Sequence, residues 1–248
     1  MGQLSSVYLN KVIGLLERIR DEEEEQMNLA AKMLADTVEQ GNCIFAFGCT
    51  HSSLPVQDLV YRAGGLMLVN PLFGPGIASL DLKPTTISSA IEQLPGFAGV
   101  ILNEGPLKSG DALIIVSVSG RNAVPVELAQ LSQERGIKVI GITSKEYSQA
   151  VSSRHHSGKK MHDYADVVLD NKAPKGDAVL EDQGVPQKFN PVSGVTSTAI
   201  LQALVASTIE ELLSRGITPP IYLAANVDGG AEYNARLLKE YRHRIFYL

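Results

Sequence analysis

Small hydrogen-bonding side chains follow the apolar run at residues 112–116. Ser117, Ser119 and Asn122 stand there with Gly120 among them, and an apolar pattern of helical spacing continues from Val126. The run predicts a buried strand and the later pattern a helix, so this loop joins a strand's carboxyl end to a helix's amino end. There the first N–H groups of the helix lack partners and its dipole is positive, which favours an anion. The alternative is that the serines only cap the helix.

Small polar residues precede two further predicted helices, and the first of these also follows a predicted strand. Residues 43–47 predict another buried strand, and Gly48, His51 and Ser52 follow it, directly before a helical pattern. Residues 193–198 place Ser197 at the start of a long apolar helix. Since ligands of open α/β sheets bind at the carboxyl ends of the strands, the loops after the two strands are predicted to border one ligand site.

Titratable side chains near these loops are candidates for proton transfer. His51 lies inside the first loop, and the alternative is a polar residue at a helix start. Glu104, before the central strand, is a candidate base, and the alternative is an exposed loop carboxylate. His155 and His156 are adjacent and would point apart in a helical or extended segment, which predicts a solvated surface and not a metal site. The acidic run at residues 21–25 predicts a solvated face or a helix start.

Apolar spacing predicts two amphipathic helices within residues 4–38, followed by strands that alternate with helices. That alternation is typical of βαβ units and therefore of a parallel sheet. The predicted strands are residues 43–47, 66–69, 112–116, 138–142 and 166–169. The predicted fold class is α/β, with a five-stranded parallel sheet between helices and an amino-terminal helical pair.

Segments rich in Pro, Gly or polar residues interrupt the alternation. Residues 70–107 predict an insertion or lid with some helix near residues 87–94, and residues 171–187 predict a loop. Nearer the carboxyl end, residues 221–223 are a candidate strand and residues 233–246 predict a terminal helix.

Composition limits the partners. The chain has a net charge of −5, a pI near 5.6 and no dense cluster of Lys and Arg, which argues against nucleic acid. No apolar run approaches the roughly 20 residues of a membrane helix, and the amino end lacks a signal pattern, so we expect a cytoplasmic chain with no membrane partner. The two cysteines, Cys43 and Cys49, are too few for a zinc site or a disulfide framework. We expect no metal and no cofactor.

The three loops resemble those of the sugar isomerase (SIS) domain family. The stretch from Ser117 to Asn122 resembles the family's phosphate loop, Ser-x-Ser-Gly-x-Thr, and the stretch from Gly48 to Ser52 resembles its first loop, Gly-x-Gly-x-Ser. Residues 194–198 are similar to the Gly-Val-Ala-Ser-Thr helix start of the glucosamine 6-phosphate synthase branch. The resemblance spans roughly residues 43–214, and the helices before it resemble the amino-terminal extension of the phosphoheptose isomerases.

This resemblance implies a flavodoxin-like three-layer sandwich that binds a phosphorylated sugar and assembles as a homodimer or homotetramer. It implies one SIS domain over residues 1–248, with amino-terminal helices to residue 40, a core over 41–215 and an extension over 216–248. The implied substrate or phosphate contacts are Ser52, Ser117, Ser119, Gly120, Asn122, Val195 and Ser197.

The family's catalytic pair does not carry over. Phosphoheptose isomerases use a Glu in the helix after the first loop and a His in a late helix. At the corresponding places this chain has Tyr61 and no histidine between Val192 and Gly216. The resemblance implies an aldose–ketose phosphosugar isomerase, with His51 and Glu104 as the candidate catalytic residues. The alternatives are a phosphosugar-binding or sensing protein without turnover, and an amino sugar phosphate lyase or etherase.

Overall fold

The computed structural model describes residues 3–248, in which five parallel strands form one sheet. Their order is β2-β1-β3-β4-β5, so the sheet changes direction of winding between β1 and β3. The strands are β1 (Ile44–Gly48), β2 (Val69–Pro71), β3 (Ala112–Val116), β4 (Lys138–Thr143) and β5 (Val167–Asp170). Ligands of such sheets bind beyond the carboxyl ends of the strands at this switch point. The predicted α/β class, its five-stranded parallel sheet and its amino-terminal helices are confirmed.

Helices precede the sheet, connect its strands and follow it. They are α1 (Gln3–Glu22), α2 (Glu24–Glu39), α3 (Ser53–Leu59), α4 (Thr86–Ile91), α5 (Phe97–Glu104), α6 (Ala123–Glu134), α7 (Lys145–Gln149), α8 (Ser193–Ser214) and α9 (Gly230–Tyr241), with short 3₁₀ turns at Met161–Tyr164 and Arg242–Arg244. Within residues 3–248, no helix has both the length and the apolar character that crossing a bilayer requires.

Strand side chains alternate between two hydrophobic cores, one on each face of the sheet. In β1, Ile44 and Ala46 pack with α2, α3 and α8, whereas Phe45 and Phe47 pack with α5 and α6. All four are fully buried. A strand that is covered on both faces has apolar side chains at every position. The sequence of β1 is therefore a continuous apolar run without alternating polar residues. The sheet is the middle of three layers.

The second strand differs from the prediction at residues 66–69. Leu66 and Met67 are buried but pair with the carboxyl-terminal segment: Met67 N–H donates to the Pro220 carbonyl at 2.9 Å, and Leu66 bridges Ile221. Only from Val69 does the chain pair with β1. The prediction of a strand at 221–223 is likewise reduced to this isolated bridge. An apolar run indicates that a segment is buried, but it does not predict which neighbouring segment pairs with it through backbone hydrogen bonds.

The segment predicted as a loop over residues 171–187 contains the first strand of an antiparallel hairpin, β6 (Ala178–Asp182) and β7 (Val185–Pro191). Pro186 and Pro191 fit because both strands are edges, where a missing N–H costs no ladder bond. Tyr8 of α1 donates its hydroxyl to the Pro191 carbonyl at 3.0 Å, which ties the base of the hairpin to the first helix.

The acidic run at residues 21–25 is not uniformly solvated. Glu23 is only 2% exposed and forms an ion pair with buried Lys172, which also lies 3.3 Å from Asp170. The second Glu23 oxygen accepts the Asp170 N–H at 3.1 Å. The break between α1 and α2 turns this one carboxylate inward. The predicted solvated face is therefore wrong for Glu23, whereas the predicted helix start is correct, since Glu23 is the N-cap residue of α2.

Candidate active site

A cavity of about 560 Å³ lies at the carboxyl ends of β1 and β3. That volume is in the range of small-molecule sites. Its walls come from the loops after β1 and β3, the end of α4, α7, the hairpin base and the start of α8. The predicted site residues that line it are His51, Ser52, Ser117, Ser119, Asn122, Val195 and Ser197. The three loops singled out in the sequence therefore meet at one site.

The loop after β3 is held from beneath by β4. Ser117 N–H continues the ladder to the Ile142 carbonyl at 2.9 Å, and the Val118 carbonyl accepts both Ser144 N–H and the Thr143 hydroxyl. Within residues 3–248, neither the Ser117 nor the Ser119 hydroxyl has a hydrogen-bond partner in the protein. Both hydroxyls are therefore free to bind a ligand in the cavity.

Gly120 supports this loop but does not line the cavity. Its φ of +61° lies in the left-handed region, and an added Cβ would come within 3.3 Å of the Thr143 hydroxyl oxygen. Its carbonyl accepts the Met161 N–H at 2.9 Å. The glycine thus turns the chain so that α6 begins beside the two serines, and its contribution is to the backbone.

Asn122 ends the loop and is the N-cap residue of α6, but its side chain does not cap that helix. Its Oδ1 accepts a hydrogen bond from Arg154 Nη1 at 3.0 Å. The amide also hydrogen-bonds toward Glu92, where it lowers the pKa of that carboxyl group. Asn122 therefore connects a cation on one side to a carboxylate on the other.

The first loop adopts a tight turn after β1. An added Cβ at Gly48 would lie 2.1 Å from the Ser52 carbonyl oxygen, so only glycine fits there. Thr50 has a φ of +49° and donates its N–H to the Ile77 carbonyl at 2.7 Å. His51 is exposed at the cavity and Ser52 is half-buried in it. The turn is fixed by backbone packing, which leaves these two side chains available to a ligand.

The start of α8 is fixed by Asp177. Its carboxylate accepts the Val192 N–H at 3.2 Å, the Ser193 N–H at 2.7 Å and the Ser193 hydroxyl at 2.6 Å. Ser197 is buried and its hydroxyl oxygen accepts from the Asn171 side-chain amide at 3.1 Å, which orients the hydroxyl and leaves its own O–H able to donate. Val195 is 44% exposed at the cavity and presents an apolar surface.

Glu92 is a second cavity carboxylate, besides Asp177, that sequence reasoning missed. It lies at the carboxyl end of α4, within the irregular segment, and faces the cavity beside Thr50 and Asn122. Burial raises the pKa of Glu92, and hydrogen bonding from Asn122 and Thr50 with the charge of Arg154 offsets part of that rise. A carboxylate with a raised pKa in a cleft is a candidate base or acid.

Glu104 does not reach this cavity. It is the last residue of α5, exposed and outside the cavity lining. The reason is that α5 packs its apolar residues on α6, which leaves its carboxyl end at the surface. Tyr61 also lies outside, 62% exposed, with its ring 5.3 Å from that of Tyr222. The irregular segment does supply a carboxylate, but from α4.

The cysteine of the first loop takes no part in this chemistry. Cys49 is buried behind the turn, and burial followed by the charge of Glu92 raises the pKa of its thiol well above the ordinary value. A neutral thiol is a poor nucleophile and a poor metal ligand. Within residues 3–248, no three His, Cys, Asp or Glu side chains converge to hold a metal ion.

Comparison with known proteins identifies the family to which the chain belongs. The SIS domain family model matches residues 7–144, more than half of the chain, including the loops after β1 and β3. A UPF0309 protein of Streptomyces griseus is 49% identical over 246 residues, covering 99% of this chain and 98% of its own.

Solved structures share the fold at low identity. The phosphoheptose isomerase of Neisseria gonorrhoeae superposes with a TM-score of 0.56 at 17% identity, over 83% of this chain and 98% of that one. The sugar isomerase domain of an RpiR transcription factor from Sphaerobacter thermophilus superposes with a TM-score of 0.52 at 16% identity, over 98% and 99%. The chain belongs to the SIS domain family and, within it, to the UPF0309 proteins.

Proposed function

We propose that the cavity binds a phosphorylated sugar and interconverts its aldose and ketose forms. The observation that carries the proposal is the pair of free hydroxyls, Ser117 and Ser119, facing the cavity beside the amino end of α6. Hydroxyl donors together with a helix amino terminus suit a phosphate group. Their place at the switch point of the sheet leaves the rest of the cavity for the sugar.

The proton transfer of isomerisation is assigned to Glu92. The reaction moves a proton between neighbouring carbons through an enediol, so it needs a base that faces the sugar and not the phosphate. Glu92 lies in the same cavity as the serines, and burial raises its pKa toward the working range of a general base. His51 lines the cavity as well and is the candidate to open the sugar ring or polarise its carbonyl. Glu92 takes the role first considered for Glu104.

A thermal-shift comparison tests the binding step. Glucose 6-phosphate, fructose 6-phosphate, N-acetylglucosamine 6-phosphate and sedoheptulose 7-phosphate are each compared with the dephosphorylated sugar. We expect at least one sugar phosphate to raise the melting temperature and its parent sugar not to. Ser117→Ala with Ser119→Ala should abolish that rise. The matched control is Ser109→Ala with Ser214→Ala, two exposed serines outside the cavity and outside α1. If the cavity double variant is stabilised like the native chain, phosphate binding by this loop is refuted.

Turnover separates the proposed isomerase from a protein that only binds. One observation favours the second candidate, a phosphosugar sensor: α8 contains no histidine where the phosphoheptose isomerases carry theirs. Each sugar phosphate that stabilises the chain is incubated with it, and products are separated by chromatography. An aldose–ketose product supports the isomerase, and loss of a substituent from the sugar supports the lyase or etherase. Binding with no product supports the sensor and contradicts the isomerase.

We also propose that the chain forms a homodimer or homotetramer through α1. Leu9 and Ile13 lie one turn apart on this helix and are 47% and 52% exposed. Burying such side chains in a subunit interface is favourable. Light scattering should give a multiple of the chain mass, and Leu9→Glu with Ile13→Glu should reduce it to one chain. A native protein that scatters as a single chain would refute the assembly.

A further inference from the structure

We propose that Arg154 is a positioning residue that holds the Asn122 amide with its N–H groups toward the Glu92 carboxylate. Arg154 does not line the cavity, so it acts on the site only through its neighbours. This role rests on the proposed function in one respect, the assignment of Glu92 as the group that transfers the proton.

The orientation of the amide follows from what a guanidinium can do. Arg154 Nη1 lies 3.0 Å from Asn122 Oδ1, and a guanidinium has donors but no acceptor. The contact is therefore favourable only when the amide oxygen faces Arg154, which leaves Nδ2 on the side of Glu92. If the amide were reversed, its Nδ2 would face the N–H groups of Arg154 and its Oδ1 would face the Glu92 carboxylate. Both contacts would be repulsive.

The groups that face Glu92 come from three elements. Asn122 at the start of α6 and Thr50 in the first loop hydrogen-bond to the carboxylate and favour its charged form, and Arg154 does so by its charge. The Cys49 thiol lies near the same carboxylate but is held neutral by burial. Of these, Arg154 is the cation, and Asn122 is in contact with both it and Glu92.

The residue type at position 122 suits this link. A threonine there would have a single hydroxyl oxygen that must serve as both donor and acceptor. Asparagine carries its acceptor and its donors on different atoms, so it can bind Arg154 with one and Glu92 with the other. The backbone holds the pair in place independently, because Arg154 N–H donates to the Arg121 carbonyl at 2.8 Å. Replacing the Arg154 side chain therefore leaves its segment attached to the loop.

The experiment follows the Glu92 carboxyl carbon by ¹³C NMR as the pH is varied, with no sugar present. The chains compared are the native protein, Arg154→Met, Arg154→Lys and Arg135→Met. Arg135 is the matched control, because it also donates to an asparagine oxygen, Asn103 Oδ1 at 2.6 Å, but at the opposite end of α6. The pKa of Glu92 should rise in Arg154→Met, return most of the way in Arg154→Lys and stay unchanged in Arg135→Met.

Asn122→Thr tests whether the effect passes through the amide. In that background, Arg154→Met should raise the pKa of Glu92 by less than it does in the native chain, since residues acting through a shared partner are not additive. An equal rise in both backgrounds would show that Arg154 acts by charge alone and would overturn the positioning role. No rise in Arg154→Met would overturn the proposal outright. Because no substrate is used, neither result depends on whether a sugar phosphate is turned over.

Discussion

The backbone carbonyl of Glu92 accepts a hydrogen bond from the backbone N–H of Val124 at 3.1 Å. This bond holds the carboxyl end of α4 against the first turn of α6. It also gives a partner to one of the backbone N–H groups that lack one at the start of a helix. The same contact brings the Glu92 side chain over the loop that holds Ser117 and Ser119. The irregular segment between β2 and β3 thus completes the cavity.

Glu92→Gln should greatly lower the rate of turnover and leave sugar phosphate binding intact. Loss of a general base typically lowers the rate by about 10²- to 10⁴-fold. The native rate should also fall as the pH is lowered through the raised pKa of Glu92, which lies above its ordinary value of 4.5. The measurement is kcat/KM against pH for any sugar phosphate found to react. Glu104→Gln is the control and should behave as the native chain, since Glu104 is exposed outside the cavity. A normal rate in Glu92→Gln would remove this residue from the mechanism.

The same variant should be more stable than the native chain at neutral pH. Burial raises the pKa of folded Glu92 above the ordinary value of 4.5, so the folded state binds this proton more tightly than the unfolded state. The resulting stability is fully present below 4.5 and is lost as the pH rises through the folded pKa. At pH 7, the denaturant midpoint of Glu92→Gln should therefore be higher than that of the native chain. This difference between the two midpoints should shrink as the pH falls toward 4.5. A difference that grows on acidification would contradict the raised pKa.

Gly48→Ala should destabilise the fold and close the first loop to ligand. The new Cβ would meet the Ser52 carbonyl oxygen at 2.1 Å, which the backbone relieves only by moving the turn. We expect a loss of about 3 kcal/mol in the free energy of unfolding, near the upper end for overpacked sites. Gly14→Ala is the matched control, because no atom lies within 4 Å of its added Cβ. In the middle of α1 it should stabilise by about 0.5–1 kcal/mol. Urea unfolding of the two variants distinguishes them, and similar midpoints would count against the clash.

The sequence predicted those parts of the site whose signals are local. Ser117 and Ser119 follow an apolar strand and precede a helical pattern, so their place at a strand end could be read directly. Glu92 carried no such signal, because α4 has only six residues and its approach depends on the bond to Val124. Glu104 was the more conspicuous carboxylate, because it stands at the end of the irregular segment that precedes the central strand. Nearness in sequence does not specify which end of a short helix faces the cavity.

Glu23→Ala should be severely destabilising although the residue lies in a run of acidic side chains. Glu23 and Lys172 have side-chain exposures of 2% and 6% and form an ion pair, and the sequence separates them by 149 positions. Removing one partner leaves the other charge buried with fewer partners, which typically costs about 3–5 kcal/mol. Asp170 and Glu22 also contact Lys172 Nζ, at 3.3 and 3.0 Å, so we expect the lower end of that range.

Glu25→Ala is the matched control for this change, because Glu25 belongs to the same run but is exposed on α2. Its effect should stay within about 0.5 kcal/mol, as for most surface substitutions. Urea unfolding at neutral pH measures both variants. Lys172 follows Asn171, whose side chain holds Ser197 at the start of α8, so Glu23→Ala should also weaken sugar phosphate binding. Equal stability of the two variants would mean that burial of Glu23 contributes nothing to the fold, and unchanged binding would separate the ion pair from the site.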